Sequence, residues 1–261
     1  MAPADKAFRR LLPRVSLVLP ACALLVAALA CNPSPPTVIV GTMTAATATT
    51  SSPAPSSGGG ECGSEWFPSD EDAVWESVGT NSLSGDYQST STIIESNDDG
   101  FTVRTVTSTS DVDFVLEYGC TDAGLVMLNP MSQFGTASAT GPSGSATVNT
   151  LAASGLTFPF DLHAGQTWQQ YLEYEVIGSD VTIRGEYTAD SIARGLEVVS
   201  VPFGTFDAMR VDADIQTAIE GEPWAPCTST WWFVKDIGPV RTESSCGGIN
   251  DSSELVSFDS P

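Results

Sequence analysis

Positive charge is scarce in this chain: 10 Lys and Arg stand against 32 Asp and Glu over 261 residues, a formal net charge of −22. Binding a phosphate backbone needs clustered Lys and Arg that release counterions, so a nucleic-acid partner is excluded. Histidine is scarcer still, with His163 alone in the sequence. A hydrolytic triad would have to be built on that imidazole, in the turn-like stretch Leu162-His163-Ala164-Gly165, and no Gly-x-Ser-x-Gly elbow accompanies it. His163 therefore reads as an exposed loop residue. No Cys-x-x-Cys pair is present to hold zinc. Calcium would find oxygen ligands in Ser69-Asp70-Glu71-Asp72 and Asn97-Asp98-Asp99-Gly100, but neither has a twelve-residue loop with a closing Glu, so both read as turns and caps. No metal and no cofactor are expected. Helical periodicity is missing too, apart from one short candidate from Ser69 to Val78, with Ser69 or Asp70 as its cap.

Long apolar runs are limited to the N-terminus. Lys6, Arg9, Arg10 and Arg14 precede an uncharged run of 16 residues from Val15 to Ala30 that contains Pro20. A spanning helix wants about 20 apolar residues, so the pattern reads as a signal peptide over residues 1–30, with a transmembrane anchor as the alternative. The run ends in Ala28-Leu29-Ala30-Cys31, which resembles the lipobox of bacterial lipoproteins and makes Cys31 the expected site of lipid attachment. Leu19-Pro20-Ala21-Cys22 is a rival, but cleavage there would strand the apolar stretch Ala23 to Ala30 on the mature chain. Removing residues 1–30 takes away four basic residues and Asp5, leaving 6 basic and 31 acidic groups and a net charge of −25. Such a surface is repelled by anionic headgroups, so membrane residence has to come from the lipid on Cys31.

Residues 32–60 hold Pro, Ser, Thr, Ala and Gly with no charge and no aromatic, a composition that cannot bury a core. With Cys31 they form a lipid-anchored flexible linker, residues 31–60, with an end-to-end distance of ~30 Å. Only Val38-Ile39-Val40 departs from this, and it reads as stalk with an edge strand as the alternative. From residue 61 to 261 the pattern becomes one β-rich extracytoplasmic domain. Met209, Val211, Ala213 and Ile215 alternate with Arg210, Asp212, Asp214 and Gln216, which places all four apolar side chains on one face. Similar alternation runs through Val112-Phe114-Leu116-Tyr118-Cys120 and Trp168-Leu172-Tyr174-Val176. Asn97-Asp98-Asp99-Gly100, Gly178-Ser179-Asp180 and Arg194-Gly195 read as turns between strands. From Tyr87 to Phe258 these signals give about ten to twelve strands with little helix. Short connections imply antiparallel pairing, hence an all-β fold: a curved sheet forming a half-barrel or open barrel, with a sandwich as the alternative. Phe67-Pro68 leading to Trp75 and Phe158-Pro159 leading to Trp168 resemble a partial internal repeat, or simply two packed strand starts.

The six cysteines include four beyond the lipobox region: Cys62, Cys120, Cys227 and Cys246. In an oxidising compartment these predict two disulfides, for which three connectivities exist. A hairpin turning around Asp236-Ile237 sets Cys227 opposite Cys246, Phe233 opposite Val240 and Trp231 opposite Thr242, and Cys62 to Cys120 follows by elimination. Trp224, Trp231 and Trp232 could form a sugar-stacking platform or line an apolar pocket, although adjacent strand tryptophans more often divide between core and rim.

Phe158-Pro159, Leu162, Gly165 and Trp168, then Val201-Pro202-Phe203-Gly204-Thr205-Phe206-Asp207-Ala208, then Trp231-Trp232-Phe233-Val234 with Gly238-Pro239-Val240, resemble a family of uncharacterised bacterial secreted proteins and lipoproteins. The resemblance spans about residues 158–245. It implies a curved antiparallel sheet similar in outline to the half-barrels of lipoprotein carriers, located at the bacterial cell envelope, and its motifs are turn and core residues without chemistry. Three functions compete. The first is a non-enzymatic, lipid-anchored surface domain that binds an envelope protein partner or a hydrophobic ligand. The others are a structural envelope protein and, third, a secreted hydrolase using carboxylates, whose pairing among 31 acids cannot be read without coordinates.

Overall fold

The computed structural model describes residue 62 and residues 64–109, 113–129, 147–177 and 182–261. The proposed signal peptide, Cys31, the linker with Val38-Ile39-Val40, Val112 and the Gly178-Ser179-Asp180 turn lie outside the described residues. Fourteen strands form one antiparallel sheet: β1 (Val74–Asn81), β2 (Gly85–Asn97), β3 (Gly100–Thr107), β4 (Phe114–Thr121), β5 (Gly124–Met127), β6 (Thr147–Gly155), β7 (Phe158–Pro159), β8 (Thr167–Ile177), β9 (Thr182–Val201), β10 (Gly204–Ile219), β11 (Glu222–Pro223), β12 (Cys227–Val234), β13 (Gly238–Cys246) and β14 (Ile249–Asp259). Their order is β6-β8-β9-β10-β12-β13-β14-β1-β2-β3-β4-β5-β7, with β11 attached to β10. Two runs of hairpins, β1 to β5 and β8 to β14, are thus joined where the first strand pairs with the last. The fold is an all-β open barrel, not a sandwich. Its strand number exceeds the expectation through the two-residue β7 and β11 and through β1.

β1 replaces the helix expected from Ser69 to Val78. Asp72 sits at φ 68°, and Ala73 accepts from the Ile93 N–H at 3.1 Å, so the chain enters a ladder instead of a helical turn. Trp75 is then buried and Glu76 exposed, at strand period. Asn97 accepts the N–H groups of Asp99 and Gly100 at 2.9 and 3.1 Å, forming the expected tight turn between β2 and β3. Arg194-Gly195 is not a turn but a bulge inside the 20-residue β9: Gly195 pairs with Arg210 and Ala193 with Val211, leaving Arg194 unopposed. Gly195 at φ 133° permits this, and the bulge bends the long β9-β10 hairpin.

The β12–β13 hairpin also departs in detail. Val234 pairs with Gly238 across a three-residue loop with Asp236 at φ 61°, so Phe233 faces Pro239 and not Val240. A bulge between Trp232 and Phe233 then restores the expected register, and Trp231 pairs with Thr242 and Cys227 with Cys246. Those two cysteines are disulfide-bonded with Cα atoms 4.2 Å apart. Cys62 is bonded to Cys120, with Cα atoms 5.7 Å apart. The bridges lie at opposite ends of the barrel, since Cys120 closes β4 while Cys227 opens β12.

At the Cys62 end the barrel is plugged. Ser64 Oγ accepts the N–H groups of Trp66 and Phe67, both at 3.2 Å, in a turn that sends Phe67 inward. Its ring lies 5.6 Å from Phe101, 5.7 Å from Tyr118, 6.1 Å from Phe158 and 6.4 Å from Phe233. The two Phe-Pro segments therefore meet in one aromatic floor, and Trp66, Trp75, Val103 and Leu255 pack into the same core. Aromatic pairs at such separations add modestly to area burial, by about 0.5–1.5 kcal/mol each.

Candidate binding cavity

Above the floor the interior opens into a cavity of about 760 Å³. Its two walls differ. On β8, β9 and β10 the inward positions include Leu172, Tyr174, Tyr187, Ala189, Val211, Ala213 and Ile215, all buried. On β1, β2, β3, β13 and β14 the inward stripe begins apolar at Trp75, Ile93, Val103, Val240 and Leu255. It turns to hydroxyls halfway up, at Ser77, Ser89, Ser91, Thr105, Thr107, Thr242, Ser244 and Ser253. These rows align because cross-strand partners share a face: Ser77 opposes Ser89, Ser89 opposes Thr107, Ser91 opposes Thr105 and Thr242 opposes Ser253. Two of the pairs satisfy themselves, Ser91 with Thr105 at 2.7 Å and Thr242 with Ser253 at 2.8 Å. Ser77, Ser89, Thr107 and Ser244 have no side-chain partner among the described residues and face the cavity.

Charge is nearly absent from this interior. The Arg241 side chain is engaged by Glu243 and lies 5.0 Å from the ring of Trp232, on the far face of its strand. Among the described residues, Asp251 is the one carboxylate lining the cavity. The Tyr87 hydroxyl donates to both its oxygens, at 3.0 and 2.8 Å. Tyr87 reaches β14 from β2 by lying over Gly79 of β1, where a Cβ would overlap its ring. Burial raises the Asp251 carboxyl above its ordinary value, while the bonds from Tyr87 and Asn81 pull it back. Burial, then the bond and charge of Asp251, push the Tyr87 phenol up. Burial also raises Tyr118, in the floor cluster, to about 12, so both phenols stay neutral.

No ladder joins β5 to β6 or β8, and side chains close part of that gap. The Met127 N–H donates to Thr157 Oγ1 at 2.5 Å, Thr157 Oγ1 donates to Gln170 Oε1 at 2.7 Å, and Gln170 Nε2 donates to the Met127 carbonyl at 2.9 Å. Gln170 is fully buried, and this ring satisfies its amide without water. The sequence reading missed it, although Gln170 stands at the inward parity between Trp168 and Leu172. Gly79 likewise marked a close approach within a strand.

The remaining candidates are dispersed. His163 is exposed, with its backbone N–H donating to Gln166 Oε1 at 3.0 Å. Asp70 and Asn97 serve turns, and no group of three or more His, Cys, Asp or Glu among the described residues could hold a metal ion. Trp231 and Trp232 face opposite sides of β12 and build no shared platform with Trp224, which is exposed. Trp232, on the outer face, is 6% exposed because Arg210 and Arg241 cover its ring at 5.8 and 5.0 Å and Glu197 accepts its indole N–H. Beside it, Arg194 and Arg210 each bond Asp212 at 2.8 Å. Burial would raise that carboxyl, and these bonds outweigh it and hold it low.

No family model matches the chain, and no curated protein matches it significantly. Among solved structures, a Parabacteroides distasonis protein provisionally described as a lipoprotein is similar with TM-score 0.50 and 15% identity, covering 77% of this chain and 100% of its own. A Bacteroides fragilis protein provisionally described as exported, with a YmcC-like fold, has TM-score 0.48 and 14% identity over 74% of this chain and 98% of its own. The hypothetical lipoprotein YmcC of Escherichia coli has TM-score 0.36 and 9% identity over 75% and 90%. The likeness concerns the fold, and it rests on the first of these.

Proposed function

We propose that the protein is a lipid-anchored extracytoplasmic binding module, without catalytic activity, whose ligand occupies the interior of the barrel. The observation that carries this is the cavity of about 760 Å³, within the size range of small-molecule sites, above an aromatic floor sealed by the segment that follows Cys62. Cys62 is bonded to Cys120 at the plugged end of the barrel, opposite the open end of the cavity. The signal-like N-terminus and the provisional description of the Parabacteroides distasonis neighbour as a lipoprotein support the envelope location. Membrane fractions of a bacterial host expressing the full chain provide the test. Wild type should carry an acylated N-terminal Cys31 and show a co-purified small molecule by native mass spectrometry, and Cys31→Ala should move to the soluble fraction with the same ligand bound. An uncleaved wild type together with membrane-bound Cys31→Ala would contradict the anchor and favour a transmembrane segment. Ligand-free protein that takes up no small molecule would contradict the binding role.

A further inference from the structure

The cavity's chemistry narrows the ligand class, provided the interior is the binding site. A purely aliphatic ligand would leave the hydroxyls of Ser77, Ser89, Thr107 and Ser244 without partners as it displaced their water, which is unfavourable for each. Among the described residues an anion would find no free cation in the lining, since the Arg241 side chain is committed to Glu243 and Trp232. What matches the lining is an uncharged molecule with hydroxyls along one edge and an apolar face.

Two further groups point the same way. Ser191, on the inward face of β9, is 8% exposed, lines the cavity, and has no hydrogen-bond partner for its hydroxyl among the described residues. Trp231 stands between the two walls, paired with Thr242 of β13 on one side and Val211 of β10 on the other. The indoles of Trp75, Trp168 and Trp232 donate to Ile237, Thr157 and Glu197, but the Trp231 N–H has no partner among the described residues. Trp231 thus offers a ring face and an open donor beside rows of open hydroxyls.

We propose that the ligand is a neutral saccharide chain, with a pyranose face stacked on Trp231 and its hydroxyls bonded to Ser89, Thr107, Ser244 and Ser191. The test is titration of the full-length, detergent-solubilised protein with maltotetraose, cellotetraose and chitotetraose, followed by tryptophan fluorescence, with cis-parinaric acid as the apolar probe. At least one saccharide should bind, Trp231→Ala should weaken it about tenfold or more, and Ser191→Ala should weaken it by about threefold to tenfold. Trp231→Phe keeps a ring while removing the N–H, so its intermediate loss separates stacking from donation if Trp231→Ala folds poorly. Binding of cis-parinaric acid with no response to any of the three saccharides would overturn the saccharide assignment and leave the binding module standing. Silence from all four probes would count against both, and saccharide binding unaffected by the Trp231 and Ser191 substitutions would place the sugar elsewhere.

Discussion

The two walls of the barrel use the same pleat to opposite ends. On β8, β9 and β10 the inward residues are buried and, apart from Gln170 and Ser191, apolar or aromatic, and they supply cohesion. On β13, β14, β1, β2 and β3 the upper inward residues are hydroxylated and face a cavity. Both walls contain a tyrosine laid over a glycine on the next strand, Tyr174 over Gly185 and Tyr87 over Gly79. Their hydroxyls fare differently: that of Tyr87 bonds Asp251, while that of buried Tyr174 has no partner among the described residues. One wall is packed and the other lines the cavity.

If that division is real, substitutions should sort by wall. Leu172→Ala removes a fully buried side chain and should cost about 2–5 kcal/mol in urea denaturation, whereas Ser89→Ala should change stability by less than about 0.5 kcal/mol. Equal losses would show that the hydroxyl wall is packed core after all. The walls adjoin at β12 and β13, where Cys227 and Cys246 close a loop with a sequence separation of 19. Replacing both by Ser should cost roughly 3 kcal/mol, with the β signal in circular dichroism retained. On the other side, Gln170→Ala removes the acceptor of the Thr157 hydroxyl and one donor to the Met127 carbonyl, for an expected loss of about 1–3 kcal/mol.

The smallest effects concern the two tyrosines. Tyr87→Phe should cost about 1 kcal/mol, while Tyr174→Phe should be neutral or slightly stabilising. The Asp251 carboxyl is raised in the folded state, so its contribution is present below the unfolded value and is lost as pH rises through the folded one. Asp251→Asn should therefore gain in melting temperature relative to wild type as pH rises across that window. Asp212 is lowered, so its contribution is present above the unfolded value and lost on acidification, and Asp212→Asn should lose ground over the same direction of change. Parallel melting profiles for the two variants would remove the distinction between the carboxylate in the cavity and the one on the outer face.

The apolar wall was legible in the sequence because Met209, Val211, Ala213 and Ile215 alternate with polar residues, and burial follows that period without exception. The hydroxyl wall was not. In Gln88-Ser89-Thr90-Ser91 every residue is polar, so a period of two cannot say which faces inward, although the strand itself and its hairpin turn could be read. The β1 segment misled for a related reason: Asp70 and Ser69 are as suited to a helix cap as to the turn they form, and only pairing with β2 and β14 decides between them. Likewise, the two-residue turn at Asp236-Ile237 that sets Cys227 opposite Cys246 gives the right pair because a bulge compensates for a longer loop, and neither is visible without the ladder.

Ser89 and Ser244 face the open-ended cavity while Thr90 faces bulk solvent. Thiol access tests it most directly, using Ser89→Cys, Ser244→Cys and Thr90→Cys with small, neutral iodoacetamide and with a maleimide carried on streptavidin. The account predicts that iodoacetamide modifies all three and that the protein-borne reagent modifies Thr90→Cys alone. Modification of Ser89→Cys by the bulky reagent at the rate seen for Thr90→Cys, or its protection from both reagents, would contradict it.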